Sequence, residues 1–436
     1  MRKLFLATLL LGSALMVNAQ SGTNSPYSQY GLGILSDQTS GFNRGMNGVG
    51  LGFHEHNQVN YLNPASYASL DSMTFILDAG ISGQVTNFEE NDVTKKTGVK
   101  KKKNANNSNF EYVVAGFRLL PHVGMSFGII PFTNVGYNYY QSKPKDMPSN
   151  MDFDYTNTYS GDGGLHQAYI GAGWEPVKGL AVGANFSYLW GSIDRSVSNS
   201  YSNSYYKTLT RYYSMQVNSY KVDFGVQYTH QFSKKDWATV GVTFSPGHGL
   251  GASADMKIIS NDTQNGVTDT TAYSIGKAYK LPTMIGAGVM WNHNNQWKVG
   301  FDYSLQKWGS LGYPSFDGTN YALKNGIYKD RSKFNLGAQY CYGERSRAFF
   351  KRVQYRVGAS YATPYYKMNG VDGPKEISVS AGFGIPIMNS YNNRSILNIS
   401  GQWVKSSAKD LIKENSFRIN IGFTFNEDWF KKWKMD

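Results

Sequence analysis

The stretch Ser416-Phe-Arg-Ile-Asn-Ile-Gly-Phe-Thr-Phe425 alternates large apolar residues with polar or small ones. Successive side chains of an extended strand point to opposite faces, so this segment would carry one wholly apolar face. The pattern therefore predicts a β-strand between an apolar and a polar environment. About fourteen segments of this kind, bounded by turn residues, follow one another between residues 73 and 425.

The composition favours membrane-spanning strands over membrane-spanning helices. Mean hydropathy is −0.43, which suits a barrel because half of each strand faces the lumen and is polar. The chain has 47 Gly and 32 Tyr, with 15% aromatic and only 17% charged residues, as expected for tight turns and aromatic girdles. We predict an all-β fold, a transmembrane antiparallel β-barrel of about fourteen strands. A secreted β-sandwich or propeller is the alternative.

The first nineteen residues have the three parts of a secretory signal. Arg2 and Lys3 precede an apolar run that ends near Met16, and Val17-Asn-Ala19 offers a cleavage site. We expect residues 1–19 to be removed on export. The remaining chain then divides into a plug at 20–72, a transmembrane β-barrel at 73–425 and a periplasmic amphipathic tail at 426–436.

The connections between the predicted strands alternate in length. Long segments such as 89–108 and 142–164 follow the odd-numbered strands, whereas short ones such as 121–122 and 176–179 follow the even-numbered strands. Outer-membrane barrels have long external loops and short periplasmic turns. We therefore expect a multi-pass barrel of the cell outer membrane with both termini in the periplasm.

A glycine-rich segment precedes the first strand and resembles the hatch of one known family. It contains Gly45-Met-Asn-Gly-Val-Gly-Leu-Gly52, with Gly48, Gly50 and Gly52, and then Asn63-Pro64-Ala65. In this order the motifs resemble the FadL/TodX family of outer-membrane transporters. The resemblance implies a fourteen-stranded barrel with an N-terminal hatch that passes hydrophobic small molecules, of the long-chain fatty acid or aromatic type.

The third predicted strand, at 123–141, carries a proline in its middle. Pro131 cannot donate a ladder hydrogen bond, so it indicates a break or bulge in the wall. In the family that this chain resembles, a kink of the third strand opens the wall sideways. We therefore expect a lateral opening at Gly128, Pro131, Phe132 and Gly136, facing the Asn-Pro-Ala tripeptide. A stabilising bulge without a transport role is the alternative.

Aromatic residues and methionines of the outer loops are candidates for a groove that collects apolar solutes. Removal of apolar surface from water stabilises such a complex by about 25 cal/mol per Å². Girdle or loop packing is an equal explanation for these side chains. The candidate groove residues are Tyr139, Tyr140, Met147, Met151, Phe153 and Tyr155.

Partners and other chemistry follow from charge and motifs. The formal charge of +13 favours contact with anionic lipopolysaccharide, and export argues against nucleic acid. His54 and His56 are a weak metal signal, and no Gly-x-Ser-x-Gly elbow occurs, so we predict no enzyme, cofactor or metal. We expect a monomeric barrel that takes a hydrophobic ligand. The alternative is a PorV-like docking or shuttle subunit that binds a protein partner with its outer loops.

Overall fold

The computed structural model describes residues 22–91, 100–142, 154–203, 205–344, 346–368, 370–387, 395–409 and 411–428. The predicted signal peptide lies outside these ranges. The strands are β1 (Ile34–Leu35), β2 (Thr74–Asn91), β3 (Lys100–Leu120), β4 (Val123–Ser142), β5 (Tyr155–Val177), β6 (Leu180–Tyr201), β7 (Thr208–Gln231), β8 (Asp236–Ser245), β9 (Ala254–Asp262), β10 (Val267–Ile275), β11 (Met284–His293), β12 (Trp297–Gln306), β13 (Tyr313–Phe316), β14 (Tyr321–Lys324), β15 (Arg331–Tyr340), β16 (Gln354–Ala362), β17 (Lys367–Met368), β18 (Val371–Asp372), β19 (Lys375–Ile387), β20 (Ser395–Ser407) and β21 (Lys413–Asp428).

The wall is a closed antiparallel barrel of 14 strands. Each wall strand pairs with the next along the chain, and β2 pairs with β21 from Thr74↔Asp428 to Glu89↔Lys413, which closes the barrel. β8 and β9 both pair with β7 and together form one wall strand. β10 and β11 form the next wall strand in the same way. The predicted fold class is confirmed.

The alternating pattern separates the outside of the barrel from the lumen. On β21, Phe417 and Ile419 are 52% and 48% exposed, whereas Asn420 and Thr424 are buried. Exposed apolar side chains on one face and buried polar ones on the other are the arrangement of a strand in lipid. The strand continues to Asp428, so the tail predicted at 426–436 begins too early, and residues 429–436 lie outside the described ranges.

Several predicted outer loops are instead extensions of the strands. β3 begins at Lys100 and β5 at Tyr155, although 89–108 and 142–164 were expected to be loops. Beyond the membrane both faces of a hairpin meet water, so pairing persists while the apolar alternation disappears. Two wall strands are interrupted at prolines, because Pro246 directly after β8 and Pro282 shortly before β11 cannot donate a ladder hydrogen bond.

Residues 22–72, which we call the N-terminal segment, fill much of the lumen. A helix at Gly41–Gly45 contacts β16, β19, β20, β21 and β2, and a 3-10 turn at Pro64–Ser69 contacts β3 to β7. A segment can touch strands on so many sides only from inside the barrel. Neither helix is long and apolar enough to cross a membrane, and the same holds for every helix among the described residues.

The outer part of the lumen is packed with aromatic and aliphatic side chains. Trp308 is fully buried and lies 5.0 Å from the ring of Tyr365, which also packs near Tyr328. Leu32 of the N-terminal segment and Phe132 of β4 belong to the same contiguous cluster. We call this the outer cluster. Its members come from the N-terminal segment, from the wall strands and from the connections between them.

Candidate functional site

The ladder between β3 and β4 stops half-way along both strands. Pairing begins at Leu120↔Val123 near the turn and ends at Val113↔Ile129. Above this point β3 remains paired with β2, and β4 remains paired with β5. Residues 100–112 and 130–142 therefore border an interruption of the wall, which we call the first gap.

The N-terminal segment lies along the β4 side of the first gap. β1 pairs with β4 at Ile34↔Asn134 and Leu35↔Thr133. The Ser36 amide donates to the Phe132 carbonyl at 3.0 Å. Further out, the Gly136 amide donates to Ser28 Oγ at 3.1 Å. The free edge of β4 thus obtains its partners from a part of the chain that precedes the barrel.

The same segment also reaches the β3 side of the first gap. The Gly22 carbonyl accepts a hydrogen bond from Asn109 Nδ2 at 2.7 Å. Asn24 Nδ2 donates to the Asn106 carbonyl at 3.0 Å. Residues 22–36 therefore bridge the two strands that do not meet each other.

The four residues predicted to mark the opening lie at different levels of β4. Gly128 is below the gap, in the part of the ladder paired with Val114. Pro131 pairs with His166, and a β-bulge follows between Pro131 and Thr133. Phe132 is buried in the outer cluster, and Gly136 contacts Ser28 as described above. Three of the four residues thus border the first gap.

The Asn-Pro-Ala tripeptide lies elsewhere in the lumen. Pro64 packs so closely on β6 that a Cβ on Gly183 would lie 2.4 Å from its carbonyl carbon. Asn63 caps the 3-10 turn by accepting from the Ala65 amide at 3.1 Å, and it donates to the Leu51 carbonyl at 2.9 Å. The residues that face the first gap are therefore those of 22–36, not this tripeptide.

The glycines of the hatch motif allow the backbone to approach the wall. The Gly50 amide donates to Asp302 Oδ2 at 2.7 Å. A Cβ on Gly52 would lie 2.7 Å from the Thr239 carbonyl oxygen, so a larger residue does not fit there without movement. Gly48 has a φ of 90°, a conformation that side chains disfavour.

Buried ion pairs hold the N-terminal segment to the wall. Arg44 Nη2 lies 2.8 Å from Glu111 Oε2, and both side chains are almost completely buried. Glu111 is the extra residue of a bulge, since Gly80 pairs with Tyr112 and the next residue, Ile81, pairs with Phe110. A bulge re-aims the side chain that it contains. No local sequence pattern identifies Glu111 as the partner of Arg44.

A second ionic contact follows β1 directly. Asp37 lies 2.9 Å from Lys333 Nζ and 3.3 Å from Arg418 Nη1. Burial alone would raise the pKa of Asp37, but Lys333 and Arg418 outweigh it and hold the pKa well below its usual range. The carboxylate therefore stays charged at any physiological pH.

The family is decided by a match along the whole chain. The BamG family model matches residues 1–436. The chain belongs to the BamG family. No curated protein sequence matches this family member significantly.

Solved structures show that this BamG family member shares the fold of the FadL/TodX-type channels. It resembles a Pseudomonas aeruginosa FadL homologue with a TM-score of 0.60 at 10% identity, over 91% of this chain and 99% of that one. The Ralstonia pickettii toluene transporter TbuX gives 0.59 at 13%, over 89% and 98%. The CymD monoaromatic hydrocarbon channel gives 0.56 at 15%, over 88% and 97%.

The three predicted groove residues within the described ranges, Tyr139, Tyr140 and Tyr155, do not line one groove. Tyr139 packs on Tyr159 at 4.9 Å and donates to Gln29 Oε1, whereas Tyr140 is 73% exposed on the opposite face of β4. Tyr155 stacks on Tyr201 at the outer end of β5. Met147, Met151 and Phe153 lie outside the described residues.

The two histidines of the weak metal signal, and Glu55 between them, each have a different partner. His54 Nδ1 lies 2.8 Å from Gln227 Oε1, His56 Nδ1 lies 2.9 Å from Asp71 Oδ2, and Glu55 pairs with Lys298. Within the described ranges no group of three or more His, Cys, Asp or Glu side chains comes together. These side chains anchor the N-terminal segment to its surroundings.

Proposed function

We propose that this protein is a passive outer-membrane channel for hydrophobic small molecules of the long-chain fatty acid or aromatic type. In this proposal residues 1–19 are a signal peptide, and 20–72 act as a movable hatch. The barrel extends from residue 73, and both termini are periplasmic. The hydrophobic solute enters from outside and leaves sideways through the first gap into the membrane.

The observation that carries the proposal is the first gap itself. Its two edges are joined by residues 22–36 and not by each other. When those residues move, the gap opens while β3 stays paired with β2 and β4 with β5. An apolar solute that enters lipid there gains about 25 cal/mol for each Å² removed from water.

The fold supports the same reading, because the likeness extends over nearly the whole of several solved channels. Two of them carry names that state a monoaromatic hydrocarbon or toluene as their solute. Their identity to this chain is low, so the solute class here is our proposal.

A disulfide that ties the covering segment to the β4 edge of the first gap tests this route. Ile34→Cys with Asn134→Cys joins two residues that are directly opposite in the β1–β4 ladder, where Cα atoms lie about 4.5–5.5 Å apart. A Cys341→Ser background removes the one native thiol. We expect the oxidised protein to lose uptake of labelled oleate and toluene into cells, and a reductant to restore it.

The matched control is Ser198→Cys with Thr210→Cys. These residues are also directly opposite, but in the continuous β6–β7 ladder, with side-chain oxygens 2.9 Å apart. This disulfide should leave uptake unchanged. If the gap disulfide forms completely and uptake of both solutes persists, the proposed route is wrong.

A docking function is the second candidate, and the exposed tyrosines beyond the end of β6 favour it. Trp308 and Leu32 are buried in the outer cluster, whereas Tyr205 is 78% exposed and Tyr206 45% exposed beyond the end of β6. A Tyr205→Ser/Tyr206→Ser variant would lose a protein partner in native gels of solubilised membranes. Unchanged uptake together with a loss of complex mass would favour docking over transport.

A further inference from the structure

A cavity of about 180 Å³ lies between the N-terminal segment and the inner faces of β7, β8, β11, β12 and β15. Its lining combines charged side chains with apolar ones, among them Phe132 of the outer cluster. The charged side chains at its wall are Asp37, Lys221, Asp223, Asp302, Arg331 and Lys333. We call this cavity the polar chamber.

Four of these charges are already compensated. Lys221 Nζ contacts Asp223, which also accepts from Ser245 Oγ. Lys333 pairs with Asp37 at 2.9 Å. Each of these four charges therefore has a partner of opposite sign.

The other two charged residues, Asp302 and Arg331, have polar atoms without a hydrogen-bond partner among the described residues. Asp302 uses Oδ2 to accept from the Gly50 and Leu51 amides at 2.7 and 2.9 Å, but its Oδ1 has no hydrogen-bond partner although the residue is only 2% exposed. Arg331 has no side-chain hydrogen bond or ion pair among the described residues. Buried polar atoms without partners are rare in native proteins, so a bound molecule or water is expected at Asp302 Oδ1.

A third unpartnered atom lies beside Asp302. Asn335 is directly opposite Asp302 in the β12–β15 ladder, and its Oδ1 has no partner while its Nδ2 points to the Gly48 carbonyl. Asp302 and Asn335 thus carry buried acceptor oxygens without partners beside the chamber, and Arg331, which also lines it, carries donors without a partner among the described residues. Arg331 and Asn335 are four residues apart on one strand, which places their Cα atoms about 13 Å apart.

We propose that the polar chamber binds a small zwitterionic solute. Its carboxylate pairs with Arg331, and its ammonium donates to Asp302 and Asn335. The strand spacing favours a molecule whose two charges are separated by several carbon atoms over one that carries both on a single carbon. The chamber borders the cover of the first gap through Leu35, Ser36 and Phe132, but binding of the zwitterion does not require the gap to open.

A second interruption of the wall borders the chamber. The β7–β8 ladder ends at Phe224↔Phe244, and the β7–β9 ladder resumes at Ser214↔Asp255. Between them, residues 246–253 leave β7 and pair with 276–283, where the Leu250 amide donates to the Tyr279 carbonyl at 2.9 Å. Asp223 and Ser245, at one corner of this second gap, line the chamber. The chamber therefore reaches one corner of the second gap, whose hairpin packs Leu250 and Tyr279 into the outer cluster.

Calorimetric titration of the purified full-length barrel in detergent tests the site. The probes are 6-aminohexanoate, with hexanoate and hexylamine as single-charge controls and glycine as the short zwitterion. We expect 6-aminohexanoate to bind most tightly. Arg331→Gln and Asp302→Asn should each weaken its binding about tenfold or more, since hydrogen bonds to charged groups contribute about 1.5–3 kcal/mol.

Two matched variants separate binding from folding. Asp302→Asn retains an acceptor for the Gly50 and Leu51 amides, so the local fold has its anchor. Lys324→Gln removes an exposed cation on β14 and should leave binding unchanged. The proposal is overturned if 6-aminohexanoate does not bind at millimolar concentration, if hexanoate binds equally well, or if a crystal soaked with the probe shows only water in the chamber.

Discussion

The two gaps in the wall are closed in different ways. The first gap is covered by residues 22–36, which precede the barrel strands in the chain and contact both β3 and β4. The second gap is covered by the wall hairpin itself, which bends inward at Pro246 and Pro282 and buries Leu250 and Tyr279 in the outer cluster. A separate segment can move while the wall stays paired. The bent hairpin cannot move without disrupting the lumen's own packing.

The largest effect should come from the Arg44–Glu111 ion pair, which holds the N-terminal segment against the wall. Arg44→Met leaves Glu111 charged and buried, and breaking one side of a buried pair costs about 3–5 kcal/mol. We expect hydrogen exchange in residues 22–72 to accelerate strongly while exchange in the wall strands changes little. Arg44→Met with Glu111→Gln should recover part of the protection. If hydrogen exchange accelerated equally in residues 22–72 and in the wall strands, the N-terminal segment would not move independently of the wall.

The hairpin formed by residues 246–253 and 276–283, which covers the second gap, should affect the stability of the whole barrel instead. Leu250 is 2% exposed, and replacement of a buried leucine by alanine costs about 2–5 kcal/mol. Leu250→Ala should therefore lower the free energy of unfolding of the whole barrel, measured by heat-modified gel mobility. Exchange within residues 22–36 should rise less than after Arg44→Met, and mainly near Leu32, which belongs to the same cluster as Leu250. Ala322→Gly on the exposed β14 hairpin is the control and should leave the barrel's stability nearly unchanged.

The difference between the gaps also explains what the sequence could predict. The membrane imposes one apolar face on each strand, so alternation such as that of β21 gave the strand number correctly. Pro131 marked the bulge for a local reason, the missing N–H donor. The departure of β3 from β4 depends instead on contacts with Gly22, Asn24 and Leu35, which are distant in sequence and leave no local pattern.

The charged lumen was missed for a related reason. Asp302, Lys221 and Asp223 lie within strands whose polar positions are expected to face any lumen, so the sequence alone does not distinguish a plugged lumen from an open one. Buried Arg44 within a glycine-rich stretch was the one available hint, because a lone cation near apolar residues needs a partner. Its partner, Glu111, became identifiable only through the bulge.

A smaller effect should follow from one hydroxyl on the first gap. Ser28 Oγ accepts from the Gly136 amide at 3.1 Å and donates to the Ser25 carbonyl at 2.7 Å. Ser28→Ala leaves the Gly136 amide without its partner, which costs about 1–3 kcal/mol locally. We expect faster exchange at Gly136 and a modest rise in solute uptake. Ser198→Ala, in the continuous ladder, should change neither quantity.

The smallest effect concerns the far end of the N-terminal segment and is pH-dependent. The hydrogen bond with Asp71 raises the pKa of His56 above its usual value, against the opposing effect of burial. A raised folded-state pKa means that the contact stabilises the protein fully below about pH 6.5 and is lost as pH rises through the folded pKa. Because the His56 side chain is 54% exposed, the contribution is only about 0.2–1 kcal/mol.

The measurement is hydrogen exchange around residues 54–72 at pH 6 and pH 8, corrected for the intrinsic rate. We expect slightly weaker protection at pH 8, and His56→Gln should abolish the difference. Around Asp37 no loss should occur between pH 8 and pH 5, because its pKa lies well below its usual range and that contact is lost only in strong acid. If acidification to pH 5 loosened residues 22–36 first, the cover of the first gap would be held by groups other than Asp37, Lys333 and Arg418.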